Sequence, residues 1–148
     1  MKNCIPCETD GAEVIYRTGT WRVLLVDDAN LPGFCRVVLN DHTAEMTDLP
    51  IAERTALMEV VWIVEQAVRD AMQPDKINLA SLGNMVPHLH WHIIPRYQDD
   101  ASFPDSIWSV PHRTIPENSL AMRKQRIPSL RNLLKKRLYE RYGKKTQL

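Results

Sequence analysis

Apolar and polar positions alternate with a period of two in several short stretches of this 148-residue chain and with a period near 3.6 in one long stretch. Residues 12–18 and 20–26 are β-rich and meet at Thr18-Gly19, which predicts a hairpin. Asp27-Asp28-Ala29-Asn30-Leu31-Pro32-Gly33 is turn chemistry, and Phe34-Cys35-Arg36-Val37-Val38-Leu39 predicts a third strand. Thr47-Asp48-Leu49-Pro50 announces a helix, with Asp48 as N-cap and Pro50 in the first turn. Within it Ala52, Ala56, Val60, Ile63, Val64, Ala67, Val68 and Ala71 recur at spacings of three and four, so one face packs on a sheet. Pro74 stops that helix near Met72. Residues 77–82 predict a fourth strand and residues 83–87 a turn, after which a fifth strand carries histidines. Beyond Arg96 the chain reads as irregular, broken by Pro104, Pro111, Pro116 and Pro128, until Leu130, Leu133, Leu134 and Leu138 stripe a basic helix over 129–142. Hairpins rather than crossover helices join most strands. The expected fold class is therefore α+β: an antiparallel β-sheet of about five strands, one long helix packed on it, and a C-terminal basic helix.

The fifth strand holds the densest chemistry. Residues 88–92 read His-Leu-His-Trp-His, so strict alternation sends His88, His90 and His92 to one face and Leu89, Trp91 and Ile93 to the other. Side chains two apart on a strand stand roughly 7 Å from each other, near enough to share one phosphate or one metal ion. A single histidine in such a strand is best read as a satisfied structural residue; three in register have little structural use. Imidazole suits metal ligation, and it equally suits nucleophilic attack on phosphorus with neighbouring histidines holding charged oxygens.

Composition adds bounds. Apolar content of 44% and charged content of 25% are ordinary globular values, and the chain is expected to form one domain over 1–148, with a core of about 4–96 and an irregular and helical extension of about 97–148. No apolar run approaches the roughly 20 residues of a membrane span, and Met1-Lys2-Asn3 does not lead into a signal-peptide core, so a cytoplasmic location is expected. The net charge of +1 hides an asymmetry: residues 121–148 carry ten Lys or Arg against the single acid Glu140. Such a segment is a solvated helix face, or it meets a phosphate-bearing ligand or an acidic partner. Three cysteines make no disulfide framework. Cys35 reads as a small buried hydrophobe. Cys4 and Cys7 form a C-x-x-C that is either a chance pair or a thiolate clamp for zinc; the context for a redox pair, after a strand and opening a helix, is missing.

The run His88-Leu-His-Trp-His-Ile-Ile-Pro95 resembles the signature of the histidine triad (HIT) family. The Pro32-Gly33 turn, the strand ending near His42, the long helix and the strand beginning near Asn78 follow in that family's order, over roughly residues 4–96. Residues 78–88 and the segment Phe103-Pro-Asp-Ser-Ile-Trp108 are similar to a bacterial branch, many members of which carry glutamine where this chain has His88. The resemblance implies a HIT-like fold and a nucleotide hydrolase or nucleotidyl transferase acting at an α-phosphate of a phosphoramidate or dinucleoside polyphosphate. It implies His90 as the nucleophile, His92 as the holder of a non-bridging oxygen and His88 as the supporting triad member. Asp27 would bind ribose hydroxyls, and Asn78, Gly83 and Asn84 would contact phosphate. It also implies a homodimer and, in some members, a structural zinc whose ligand positions correspond to Cys4, Cys7, His42 and His88. Two positions depart from the family: Phe34 stands where a histidine often follows the Pro-Gly turn, and Met85 stands where a small hydroxyl residue is common. Leaving-group protonation through that hydroxyl is then absent.

Two other readings stand beside this one. The three histidines could be ligands of a catalytic metal in a metal-dependent hydrolase, although no Asp or Glu lies between residues 77 and 98. Alternatively the chain is a nucleotide- or RNA-binding module without turnover, recruiting its partner through the basic helix.

Overall fold

In the computed structural model, which describes residues 4–143, strands β1 (Glu13–Arg17), β2 (Trp21–Leu25), β3 (Cys35–Leu39), β4 (Lys76–Ala80) and β5 (His90–Arg96) form one antiparallel sheet in the order β1-β2-β3-β5-β4. The expected class and strand number hold. A short helix α1 (Ile5–Glu8) precedes the sheet, α2 (Ile51–Met72) follows β3, and α3 (Glu117–Gln125) and α4 (Ile127–Tyr142) close the chain. Residues 1–3 lie outside the described residues, as do Lys144 and Lys145, the last two bases of the basic run.

Paired residues in the ladders share a face, and the register sorts the sheet into two sides. Trp21, Val23, Leu25, Cys35, Val37, Leu39, Ile77 and Ile93 face the helices and join Val60, Val61, Val64, Ala67 and Val68 of α2 in one core. Leu130, Leu134 and Leu138 of α4, each 0% exposed, are buried in the same core. At about 1.5–3 kcal/mol per fully buried side chain, that stripe is what docks α4. Its arginines then meet acids of the body: Arg131 bonds Glu13, Arg137 bonds Asp70 and Arg141 bonds Glu59. Three of the ten bases in the C-terminal run are thereby paired with acids of the body.

Three local expectations change. Asp48 does not cap the long helix. It ends a one-turn 3₁₀ helix (Met46–Asp48) and accepts the Glu45 N–H, while Pro50, which cannot continue a helix N-terminally, stands at the N-cap of α2. The stretch read as irregular contains α3, whose weak apolar periodicity hid it; it is tied down by Ser119 and Arg123 to Asp99. His88 and Leu89 precede β5 instead of belonging to it. The turn from β2 to β3 needs its glycine: Gly33 has φ +89°, and a Cβ there would lie 2.8 Å from the Met72 side chain at the end of α2.

Candidate active site

The other face of the sheet carries Arg22, Leu24, Arg36, Val38, His90, His92, Asn78 and Ala80, as the pairings Arg22–Val38, Leu24–Arg36, Arg36–His92, Val38–His90 and Ala80–His92 require. His92 is paired on both sides, with Arg36 of β3 and Ala80 of β4, and His90 is paired with Val38 of β3. The His90 carbonyl also accepts the Ser81 hydroxyl at 2.8 Å.

The hydrogen bonds fix the tautomers. His90 Nδ1 lies 2.6 Å from the His88 carbonyl, which can only accept, so Nδ1 carries the proton and Nε2 of the neutral ring is a bare lone pair. His90 Nε2 stands 3.0 Å from His92 Nε2, which must therefore be the donor. His92 Nδ1 is buried without a hydrogen-bond partner. Burial, then the neighbouring His90 and the Arg36 cation, pushes the His92 pKa down to about 3. His92 is accordingly a neutral N–H donor near neutral pH. The pair thus offers an unprotonated nitrogen and an adjacent N–H donor, which in this structure donates to that nitrogen.

Around this pair lie groups to which the sequence reading gave no site role, Arg36 and Trp108, together with Phe34, which it marked as a departure from the family. The Phe34 ring is 5.5 Å from His92 and the Trp108 ring 5.2 Å, the latter half exposed. Arg36 stands directly opposite His92 in the β3–β5 ladder. The loop bearing Trp108 is held from beneath by Arg96, which donates to both oxygens of Asp100, to Asn78 Oδ1 and to the Asp105 carbonyl. A charged residue at an inward position of Phe34-Cys-Arg-Val-Val-Leu39 was the available signal for Arg36; nothing local marks Trp108.

The remaining expected residues separate. His88 is turned away from the pair: its Nε2–H donates to the Leu39 carbonyl at 2.8 Å, and its Nδ1 faces Cys4 Sγ and Cys7 Sγ, both at 3.3 Å. Of the three imidazoles, His90 and His92 face each other on β5, while His88, just before the strand, is engaged by the cysteines and the Leu39 carbonyl. Asp27 is exposed two residues beyond β2. Asn78 is bonded by Arg96. Gly83, with φ +118°, and the exposed Asn84 lie in the turn before His88, as does Met85, 96% exposed.

Cys4, Cys7, His42 and His88 place one ligand atom each within 4.8 Å of one another. Two sulfurs converge on one bare imidazole nitrogen, more than a single lone pair can accept as hydrogen bonds, and Cys7 Sγ is 3.6 Å from His42 Nδ1. Burial pushes the His88 pKa down, keeping the ring neutral as a ligand requires. A two-thiolate, two-imidazole set with an outer carbonyl orienting His88 fits a tetrahedral divalent ion such as zinc.

Cavities near the histidines are small. One of about 80 Å³ is lined by Pro6, Asp10, Arg22, Arg36, Val38 and His90, and one of about 140 Å³ runs between Asp28 and Ile107. A groove of about 620 Å³ between α2 and α4 is lined by none of the expected site residues.

A HIT domain model matches residues 9–99. Over 104 residues the chain is 31% identical to the bis(5'-nucleosyl)-tetraphosphatase (asymmetrical) of Schizosaccharomyces pombe, covering 67% of this chain and 57% of that protein. It is 28% identical over 92 residues to the bis(5'-adenosyl)-triphosphatase of Saccharomyces cerevisiae, covering 58% of this chain and 45% of the relative. The chain thus spans about half the length of these curated relatives. A solved histidine triad protein from Bradyrhizobium japonicum superposes with a TM-score of 0.68 at 30% identity, over 84% of this chain and 92% of the other. With the triad histidines on this sheet, and a family match across most of its strands and its long helix, the chain belongs to the HIT domain family.

Proposed function

We propose that this protein hydrolyses a dinucleoside polyphosphate, or transfers its nucleotidyl group, through a nucleotidyl-histidine formed on His90. The observation that carries the reading is the 2.6 Å bond from His90 Nδ1–H to the His88 carbonyl, which leaves Nε2 unprotonated, as a nucleophile requires. The Nε2 lone pair adds to the α-phosphorus, and the P–O bond to the distal phosphate breaks, its electron pair leaving with that phosphate. His92 Nε2–H turns from His90 to a non-bridging oxygen, where the charge grows. Water then attacks phosphorus, the P–N bond breaks back to Nε2, and the proton of water passes to solvent. Binding a charged phosphate this way requires no catalytic metal.

The leaving group is argued from Met85. An exposed thioether offers no proton, and an amine leaving group needs one, whereas a polyphosphate departs as an anion near neutral pH. The names of the two curated relatives point to the same substrate class. Asp27, beyond the end of β2, is the candidate for the ribose hydroxyls, and Gly83 and Asn84 for phosphate contacts. Trp108, half exposed beside His92, offers a stacking surface. Cys4, Cys7, His42 and His88 would hold a zinc that staples α1 and the approaches to β5 together; with four protein ligands it leaves no open position for catalysis.

A catalytic metal held by three histidines is disfavoured, since His88 faces the cysteines and only His90 and His92 face each other. A nucleic-acid module is disfavoured because three arginines of α4 are paired with acids of the body. The test is chemical quench of the protein with diadenosine tetraphosphate, followed by mass spectrometry. A nucleotidyl adduct on His90, and its loss with a fall of at least about 10³-fold in kcat in His90→Ala, are expected. Unchanged turnover in His90→Ala would refute the covalent route.

A further inference from the structure

The Arg36 guanidinium is a cation on the histidine face with no anion beside it. Among the described residues no hydrogen bond or ion pair engages it, and its Nε is buried without a partner. Its Cζ lies 5.2 Å from the centre of the Phe34 ring. Burial pushes its pKa down and the Asp28 carboxylate pulls it back from a distance, with no ion pair between them; Asp28 Oδ1 accepts the N–H groups of Asn30 and Leu31 instead. An arginine stays protonated under such pressure.

The contrast with Arg22, the other arginine facing the same small cavity, is informative. Arg22 is bonded to Asp10, Asn40 and the carbonyls of Pro6 and Leu39, so it builds the fold. Arg36 lines that cavity together with His90 and stands across the ladder from His92. Cross-strand partners have Cβ atoms roughly 4.5–5.5 Å apart, so an arginine at this position reaches any group bound to the two imidazoles. A half-buried, uncompensated charge is unfavourable unless a ligand brings the opposite charge. The reacting phosphate is the anion that must arrive at that place.

We propose that Arg36 is a catalytic residue that binds a non-bridging oxygen of the phosphate attacked by His90, sharing with His92 the charge that accumulates in the transition state. The inference rests on the reading of His90 as the nucleophile. It assigns the two non-bridging oxygens to different donors, His92 on one and Arg36 on the other.

The test uses Arg36→Met and Arg36→Lys with diadenosine tetraphosphate and with the two α-thio diastereomers at the attacked phosphorus. Arg36→Met is expected to lose about 100-fold in kcat/KM, mostly in kcat, the scale seen on removing one donor from a developing oxyanion. Its melting temperature should be unchanged or higher, since a charge without a counter-ion has been removed. Arg36→Lys should recover part of the rate. Wild-type protein should discriminate between the thio diastereomers, and Arg36→Met should lose that discrimination. Retained rate, or a rate loss that follows a lowered melting temperature with discrimination intact, overturns the proposal. Should the wild-type protein turn over no nucleotide, the reading of His90 fails instead, and calorimetry with AMP decides on Arg36: affinity at least about tenfold weaker in Arg36→Met supports an anion site, and equal affinity overturns it.

Discussion

Asp100→Asn removes one negative charge and almost no volume from a site where both partners of an ion pair are buried. Arg96 is 1% exposed and Asp100 2%. The carboxylate accepts Arg96 Nε at 2.7 Å and Nη2 at 3.0 Å, and the backbone N–H groups of Tyr97, Ser102 and Phe103 at 3.2, 3.0 and 2.8 Å. Counting each of these bonds to a charged group at about 1.5–3 kcal/mol would give one residue as much as the whole stability of a domain, an overcount, because the bonds share one desolvation cost. The better guide is the cost of leaving a buried partner uncompensated, about 3–5 kcal/mol. Arg96 keeps Asn78 Oδ1 and the Asp105 carbonyl, which places the expectation near the lower end, about 3 kcal/mol. Urea unfolding followed by circular dichroism should show the midpoint falling by about 1–2 M. Because the pair anchors the loop that brings Trp108 to His92, turnover by the folded fraction should fall as well. Burial raises the Asp100 pKa, but the Arg96 bonds and the backbone donors outweigh it and hold the carboxyl below its usual range. Its contribution is therefore full above the ordinary Asp pKa and fades as pH falls through the lower folded-state value. A loss below about 1 kcal/mol at pH 7 would refute this account of the loop.

Two further outcomes are expected. Protein expressed with ample metal and no chelator should contain about one zinc per chain by elemental analysis, and Cys7→Ser should lower both zinc content and melting temperature; zinc-free protein of full stability would return Cys4 and Cys7 to the status of a chance pair. For His92, the folded pKa of about 3 lies below the ordinary imidazole value of 6.5, so the unfolded chain binds the proton first and stability falls as pH drops below about 6.5. After allowance for solvent screening that amounts to about 1–2 kcal/mol at pH 5 relative to His92→Asn, and parallel urea titrations of the two proteins at pH 7 and 5 would contradict it.

Local order is what the sequence determined by itself. A period of two in residues 12–26 and 34–39, a period of 3.6 from Ala52 to Ala71, and a proline at 74 are properties of neighbours, and the hairpin, β3 and α2 follow from them. The parity that puts His90 and His92 on one face is of the same kind. Tertiary structure decided what each of those side chains meets. His88 shares the parity of the other two imidazoles, yet it serves the cysteines, because Cys4, 84 residues away, is brought to its ring and the chain turns before β5 begins. The basic tail reads as a free charged surface until Glu13, Asp70 and Glu59 arrive opposite Arg131, Arg137 and Arg141 from 118, 67 and 82 residues away. The same holds for Arg36. Its position in a strand is local, but whether a carboxylate pairs with it depends on strand order and on the packing of loops, and among the described residues none forms an ion pair with it. Periodicity fixes which way a side chain points; the partner it finds there is set by contacts between distant segments, and a pattern of neighbours does not encode it.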